Sequence, residues 1–225
     1  MINPDYPFSG IHAEYLPKGI TDKCIENDSM SHNNTQKILK VSEELKNKKL
    51  IIVDEDFIKS EVIINGISKM DLMGGKKSLF NGFVNVDKIA EEGIKTQIEY
   101  LDKVIKNNSC KEIMVNNPYG VNGITILEIA NNLLVQDGKI MISDTLNNKY
   151  FKVLMKKSHE DKIHNLGFYA KTEQLDKTLK NIEFHQTSGQ IIPSDKMMTF
   201  YAIKNKTTPI LEKILKKEVK NGKLP

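Results

Sequence analysis

Three short apolar runs in this chain end on corners whose residue types could hold a ligand. They close at Met73-Gly74-Gly75, at Val84-Asn85-Val86-Asp87 and at Asn116-Asn117-Pro118-Tyr119-Gly120. Paired glycines let backbone amides approach a ligand closely. An acid at the end of the second run, Asp87, suits a pair of ribose hydroxyls. In the third corner Pro118 fixes the backbone, and an asparagine carbonyl with the Tyr119 ring can hold a planar or amino-bearing group. Ligands of open α/β sheets bind outside the carboxyl ends of strands, so three such corners in this order point to a nucleotide-like cofactor. Each corner also has a plain structural reading: a glycine turn, a helix cap at Asp87, an Asn-Pro turn. The glycine corner has neither the GxGxxG spacing of nicotinamide and flavin enzymes nor a Walker lysine-serine pair. Asp144 ends a further strand and is a lesser candidate for the same crevice. The histidines are dispersed, and only His185 falls near a strand end of interest.

Composition narrows the classes. The chain has 225 residues, enough for one sizeable core, and a net charge of +4. It holds no apolar run of about 18 residues, so no transmembrane helix is expected, and Met1 to Phe8 lacks a secretion-signal pattern. Cys24 and Cys110 show no metal spacing; a single Cys24–Cys110 bridge is the alternative to the preferred reading of two unpaired thiols in a reducing compartment. All 33 basic residues are lysine, which an AT-rich coding sequence explains. The chain therefore has no guanidinium forks for reading guanine or gripping phosphate.

The elements that must position these corners follow from periodicity. Residues 1–33 read as an irregular arm, and residues 34–48 as a helix. Leu50–Val53 and Glu61–Ile67 read as short strands, forming either a small cap or an extension of the main sheet. Strands are expected at Met70–Met73, Phe83–Val86, Glu112–Val115, Lys139–Ser143, Ile182–His185 and Met198–Ile203. Helices are expected at Ile124–Leu134, Tyr150–His164 and Pro209–Val219. Ile94 to Ile105 fits either an amphipathic helix or a short strand running quickly into helix, the second preferred. This alternation predicts βαβ units and a mostly parallel sheet, with Ile182–His185 and Met198–Ile203 closing it as an antiparallel hairpin.

The segment Gly74 to Asp87 resembles the first cofactor loop and second strand of class I S-adenosylmethionine-dependent methyltransferases. It is closest to a bacterial subgroup reading roughly Gly-Gly-Gly-Lys-Asn-Pro, then Pro-Gly-Ala, then Asn-Val-Asp. Asn108 to Gly120 similarly resembles that family's fourth strand and following motif, one residue away from the Asn-Pro-Pro-Tyr of amino-group methyltransferases. The resemblance covers about residues 68–204. It implies a Rossmann-like domain there, an N-terminal extension over 1–67, and a basic C-terminal helix or tail over 205–225. It implies S-adenosylmethionine as cofactor, held by Met73, Gly74, Gly75, Asp87, Glu99 and Asn116, with Asn117 and Tyr119 as catalytic residues favouring N-methylation. Met73 and Lys76 stand where the family carries an acid and a third glycine, and Glu99 replaces an aspartate that holds the adenine amino group. The subgroup occurs as C-terminal toxin domains of contact-dependent and Rhs-type polymorphic toxins. That context implies a cognate immunity protein, delivery from a secreted or surface toxin and a cytoplasmic site of action. The acceptor stays open among RNA, protein and small molecule, with no membrane insertion expected. The alternative is a non-catalytic or differently acting toxin or interaction module on a degenerate methyltransferase scaffold.

Overall fold

The computed structural model describes residues 25–27, 37–40, 50–175, 179–185 and 190–205. The chain divides into two compact units, Met1–Ser109 and Cys110–Pro225.

The first unit runs β1 (Ile25–Asn27), β2 (Lys37–Lys40), β3 (Leu50–Ile52), α1 (Glu55–Lys59), β4 (Ile63–Asn65), β5 (Lys69–Leu72), β6 (Val84–Asp87), β7 (Gly93–Lys95) and α2 (Leu101–Val104). Strands β5, β6, β7 and β3 lie side by side in that order, all neighbours parallel. Met70, Leu72 and Ile94 are fully buried in this sheet, and so are the polar Asp71 and Asn85 between apolar neighbours, as in a parallel sheet covered on both faces. Helix α1 starts where the Asp54 carboxylate accepts the Phe57 backbone N–H at 2.9 Å, and it buries Phe57 as its anchor. Strand β4 pairs in parallel with β2, which pairs antiparallel with β1. The two early strands thus do one thing each: Leu50–Ile52 extends the main parallel sheet, and Ile63–Asn65 joins a small separate one.

The second unit runs β8 (Cys110–Asn116), α3 (Gly123–Leu133), β9 (Leu134–Thr145), α4 (Lys149–Lys152), α5 (Glu160–Asn165), β10 (Phe168–Gln174), β11 (Phe184–His185), β12 (Ile191–Ile192) and β13 (Met197–Lys204). Strands β8 and β9 are parallel; β13 runs antiparallel between β9 and β10. Helix α3 is capped by Asn122 and buries Ile124, Ile126, Leu127, Ala130 and Leu133. The architecture is the expected Rossmann-like α/β type, mostly parallel with a C-terminal antiparallel pair.

Several local expectations need correction. The partner of the last strand is Phe168–Gln174 and not Ile182–His185; the latter supplies only β11, paired with β12. Lys37–Lys40, expected within a helix, is a strand, and Ile25–Asn27 in the expected irregular arm is another. Tyr150–His164 is broken into α4, two 3-10 turns and α5. The ambiguous segment resolves as preferred, with β7 followed by a 3-10 turn at Ile98–Tyr100 and then α2. Strand β9 begins at Leu134 rather than at the expected Lys139, and its register with β8 jumps from Leu134 to Lys139. The expected basic helix Pro209–Val219 lies outside the described residues.

Gly93 begins β7 at φ 81, and a Cβ there would lie 2.2 Å from the Asn85 backbone oxygen. Gly82 has φ 79 with open space around it. Gly82→Ala should therefore cost only the left-handed backbone penalty of about 1–2 kcal/mol. Gly93→Ala should cost clearly more, or prevent folding, because the clashing atom is backbone. Urea unfolding of both variants checks the difference.

Candidate functional site

The parallel register places Asp71 on β5 directly beside Asn85 on β6. Both side chains are buried, at 0% and 1% exposure. Asp71 Oδ2 accepts from the Ser78 hydroxyl at 2.8 Å and from the Leu79 backbone N–H at 3.3 Å, folding the loop after β5 back onto its own strand. Asn85 Nδ2 donates to the Gly75 carbonyl at 2.9 Å. Asp71 Oδ1 and Asn85 Oδ1 are buried acceptors with no hydrogen-bond partner, an arrangement that a native interior rarely keeps without a reason.

Gly74 sits against this pair. A Cβ on it would lie 2.5 Å from Asn85 Oδ1 and 2.6 Å from Asp71 Oδ2, so no side chain fits. Gly75, at φ 76, faces open space. Its N–H donates to Asp87 Oδ2 at 3.0 Å, while Asp87 Oδ1 accepts from the Ile89 N–H at 3.0 Å. A carboxylate offers about four lone-pair sites, so Asp87 keeps acceptor capacity for hydroxyls after both contacts. Met73 holds φ 62, and its N–H donates to Val86 O at 2.8 Å. The first unit thus gathers Met73, Gly74, Gly75 and Asp87 at the carboxyl ends of β5 and β6. Glu99 is exposed on the 3-10 turn that follows β7.

Burial lifts the Asp71 carboxyl from its ordinary 3.8 to about 6. The Ser78 and Leu79 donors oppose that rise, and the Asp87 charge adds a little to it.

The remaining expected residues lie in the second unit, at the ends of β8 and β9 and in the loop after β8. Asn116 is 8% exposed and its side-chain nitrogen and oxygen both lack partners. It stands beside Ser143 in the β8–β9 register, and Ser143 in turn stands beside Thr199 of β13, their hydroxyls 3.1 Å apart. Asn117 takes φ 49. Its N–H donates to Ser143 O at 2.9 Å and its side-chain amide to the His185 carbonyl at 3.1 Å. Tyr119 is 70% exposed and meets the Tyr150 ring edge-on, centroids 5.9 Å apart. Asp144 is buried at the end of β9, with burial raising its carboxyl to about 6.

Three residues escaped a proper sequence reading: Asp71, Asn85 and Asn148, whose side chain holds Pro118 O at 2.8 Å. The first two carried a usable signal, since each is a polar residue flanked on both sides by buried apolar ones, Met70 and Leu72 about Asp71 and Val84 and Val86 about Asn85. Asn148 carried none. Among the described residues no cluster of His, Cys, Asp and Glu could hold a metal.

No family model and no curated protein matches the chain. Among solved structures it is similar to a SAM-dependent methyltransferase from Archaeoglobus fulgidus, with TM-score 0.41 and 14% identity over 62% of this chain and 87% of that one. It is also similar to a structure of an antibiotic-related methyltransferase, with TM-score 0.43 and 14% identity over 71% and 97%. A third is the 16S rRNA (adenine(1408)-N(1))-methyltransferase from Catenulisporales acidiphilia, with TM-score 0.43 and 10% identity over 72% and 95%.

Asp71 binds its proton more tightly folded than unfolded, so its contribution to stability is present at low pH and is lost as pH rises through about 6. Asp71→Asn keeps an oxygen for Ser78 and Leu79 and never ionises. It should be more stable than the wild type at pH about 8, by roughly 1–3 kcal/mol, and nearly equal to it at pH about 4. Urea midpoints at the two pH values measure this.

Proposed function

We propose that the chain is an S-adenosylmethionine-dependent methyltransferase acting on a nitrogen acceptor. The observation that carries this reading is the corner around Gly74. A carboxylate at the end of β6 receives the Gly75 amide, and two buried acceptors, Asp71 Oδ1 and Asn85 Oδ1, await donors beside a residue that admits no side chain.

These residues fit the cofactor. Asp87 has capacity for the ribose hydroxyls, Gly75 leaves open space for close backbone approach, and Met73 and Glu99 are assigned to the remaining polar edges. When bound, S-adenosylmethionine supplies an electrophilic methyl group on a sulfonium. Such transfer asks the protein chiefly to align the acceptor and exclude water, with little acid–base work. Asn117 and Tyr119 are assigned to the acceptor. The Asn117 amide nitrogen is committed to the His185 carbonyl, which leaves its oxygen to accept an N–H, and the exposed Tyr119 ring offers a flat face. An oxygen acceptor would call for a general base such as histidine; residues 116–122 carry none, and His185 meets Asn117 through its backbone carbonyl.

The resemblance of Gly74–Asp87 and Asn108–Gly120 to toxin-associated methyltransferases supports a further proposal. The domain acts inside a target bacterium and is held inactive by a cognate immunity protein. No helix among the described residues is long and apolar enough to cross a membrane. The rival reading, a non-catalytic or differently acting toxin or interaction module on a degenerate scaffold, draws on Met73 and Lys76, which stand where the family carries an acid and a third glycine.

Calorimetry with S-adenosylmethionine separates the two readings. Binding is expected, with affinity reduced about tenfold or more by Asp87→Ala, which removes a charged hydrogen-bond acceptor; a folded wild type giving no heat at millimolar ligand would favour the rival. Asn117→Ala should bind as wild type yet lose transfer of tritiated methyl into a bacterial lysate. Expression in bacteria should slow growth, and growth that is unaffected counts against the toxin role.

A further inference from the structure

One side chain in the second unit does more than its local position requires. Asn148 Oδ1 accepts the Tyr150 N–H at 2.8 Å and so begins α4. A helix cap needs nothing further, and serine or aspartate would serve as well. Yet both hydrogens of the Asn148 amide are also used. One goes to the Pro118 carbonyl at 2.8 Å and the other to Asp144 Oδ2 at 2.5 Å. Asp144 is itself 1% exposed, and its second oxygen accepts the Thr145 N–H. The amide therefore joins the end of β9, the corner after β8 and the start of α4. The next two residues extend the link, because the Tyr150 ring meets Tyr119 and Lys149 Nζ lies 5.0 Å over Tyr150.

We propose that Asn148, anchored on Asp144, is a positioning residue for the acceptor loop: it fixes the Pro118 carbonyl and through it the placement of Tyr119. This rests on the methyltransferase reading above. An amide is the side chain this junction needs, since it offers two donors and one acceptor at once. Aspartate would cap α4 but could donate to neither oxygen, and serine could cap it with a single donor to share.

Asn148→Ser and Asn148→Ala test the proposal without adding charge beside Asp144. Calorimetry with S-adenosylmethionine should show both variants binding as the wild type does. The maximal rate of tritiated methyl transfer into a bacterial lysate should fall about tenfold in each, the loss of a charge-assisted hydrogen bond, with the KM for S-adenosylmethionine unchanged. Hydrogen exchange at the Asn117 amide, held by Ser143 O in the intact loop, should quicken by a similar factor. Full recovery of rate and exchange in Asn148→Ser relative to Asn148→Ala would overturn the proposal, because capping alone would then explain the residue. A wild type that binds the cofactor but labels nothing overturns the acceptor role of the loop. A wild type that binds no cofactor overturns the methyltransferase reading instead, and Asn117 exchange still decides whether Asn148 holds the loop.

Discussion

A carboxyl and a carboxamide lie side by side in the β5–β6 register, buried, over a residue that can carry no side chain. The corner around Gly74 depends on this constraint. Asp71 reaches forward to Ser78 and Leu79, Asn85 holds the Gly75 carbonyl, and Asp87 holds the Gly75 and Ile89 amides. The loops after β5 and β6 are thus shaped largely by side chains projecting from strand ends. A helix dipole or a long glycine run is not needed to present Gly75 to open space. What is needed is that position 74 stay empty, so that the two strand-end polar groups can close over it.

The second unit repeats the principle with different groups. Asn116, Ser143 and Thr199 form a buried polar row across β8, β9 and β13. Asp144, one residue further along β9, then reaches the loop after β8 through Asn148. Buried polar groups of this kind must be satisfied or they cost stability. The Ser143–Thr199 pair is satisfied internally, while Asn116 is not. That difference sets a matched polar contact beside one whose amide is buried without a partner.

Sequence periodicity revealed the strands β3, β5, β6 and β8 because each carries a short stretch of buried apolar residues whose exit is marked by glycine, aspartate or asparagine. It failed at β10. Only Phe168 of that strand is buried, and the six residues after it are exposed, so no alternation marks them; edge strands commonly carry such charged and polar residues. Ile182–His185 looked more strand-like because it is more apolar, but it forms only a two-residue pair. The glycine and Asp87 positions were legible through spacing. Asp71 and Asn85 were visible as polar interruptions, yet their burial and mutual register exist only in the folded sheet. Asn148 was invisible because its partners are 30 residues upstream and four residues upstream at once.

Three separate costs meet within a few residues of Gly74. Met73 holds a left-handed backbone that a residue with a Cβ adopts at a penalty of about 1–2 kcal/mol. Asp71 must ionise in a buried site above pH about 6, and two acceptor oxygens stay unpaired. None of these improves packing, and each is removable by a single substitution: Met73→Gly, Asp71→Asn, or a donor placed beside Asn85. A corner built only as a turn would gain by all three. Strain and unsatisfied polar groups persist only where the surrounding fold over-determines them, as the β5–β6 register does here. Around Asn148 the hydrogen bonds are matched, its amide and both Asp144 oxygens having partners, and the one cost shared with the first corner is that Asp144 too ionises against burial, its carboxyl raised to about 6.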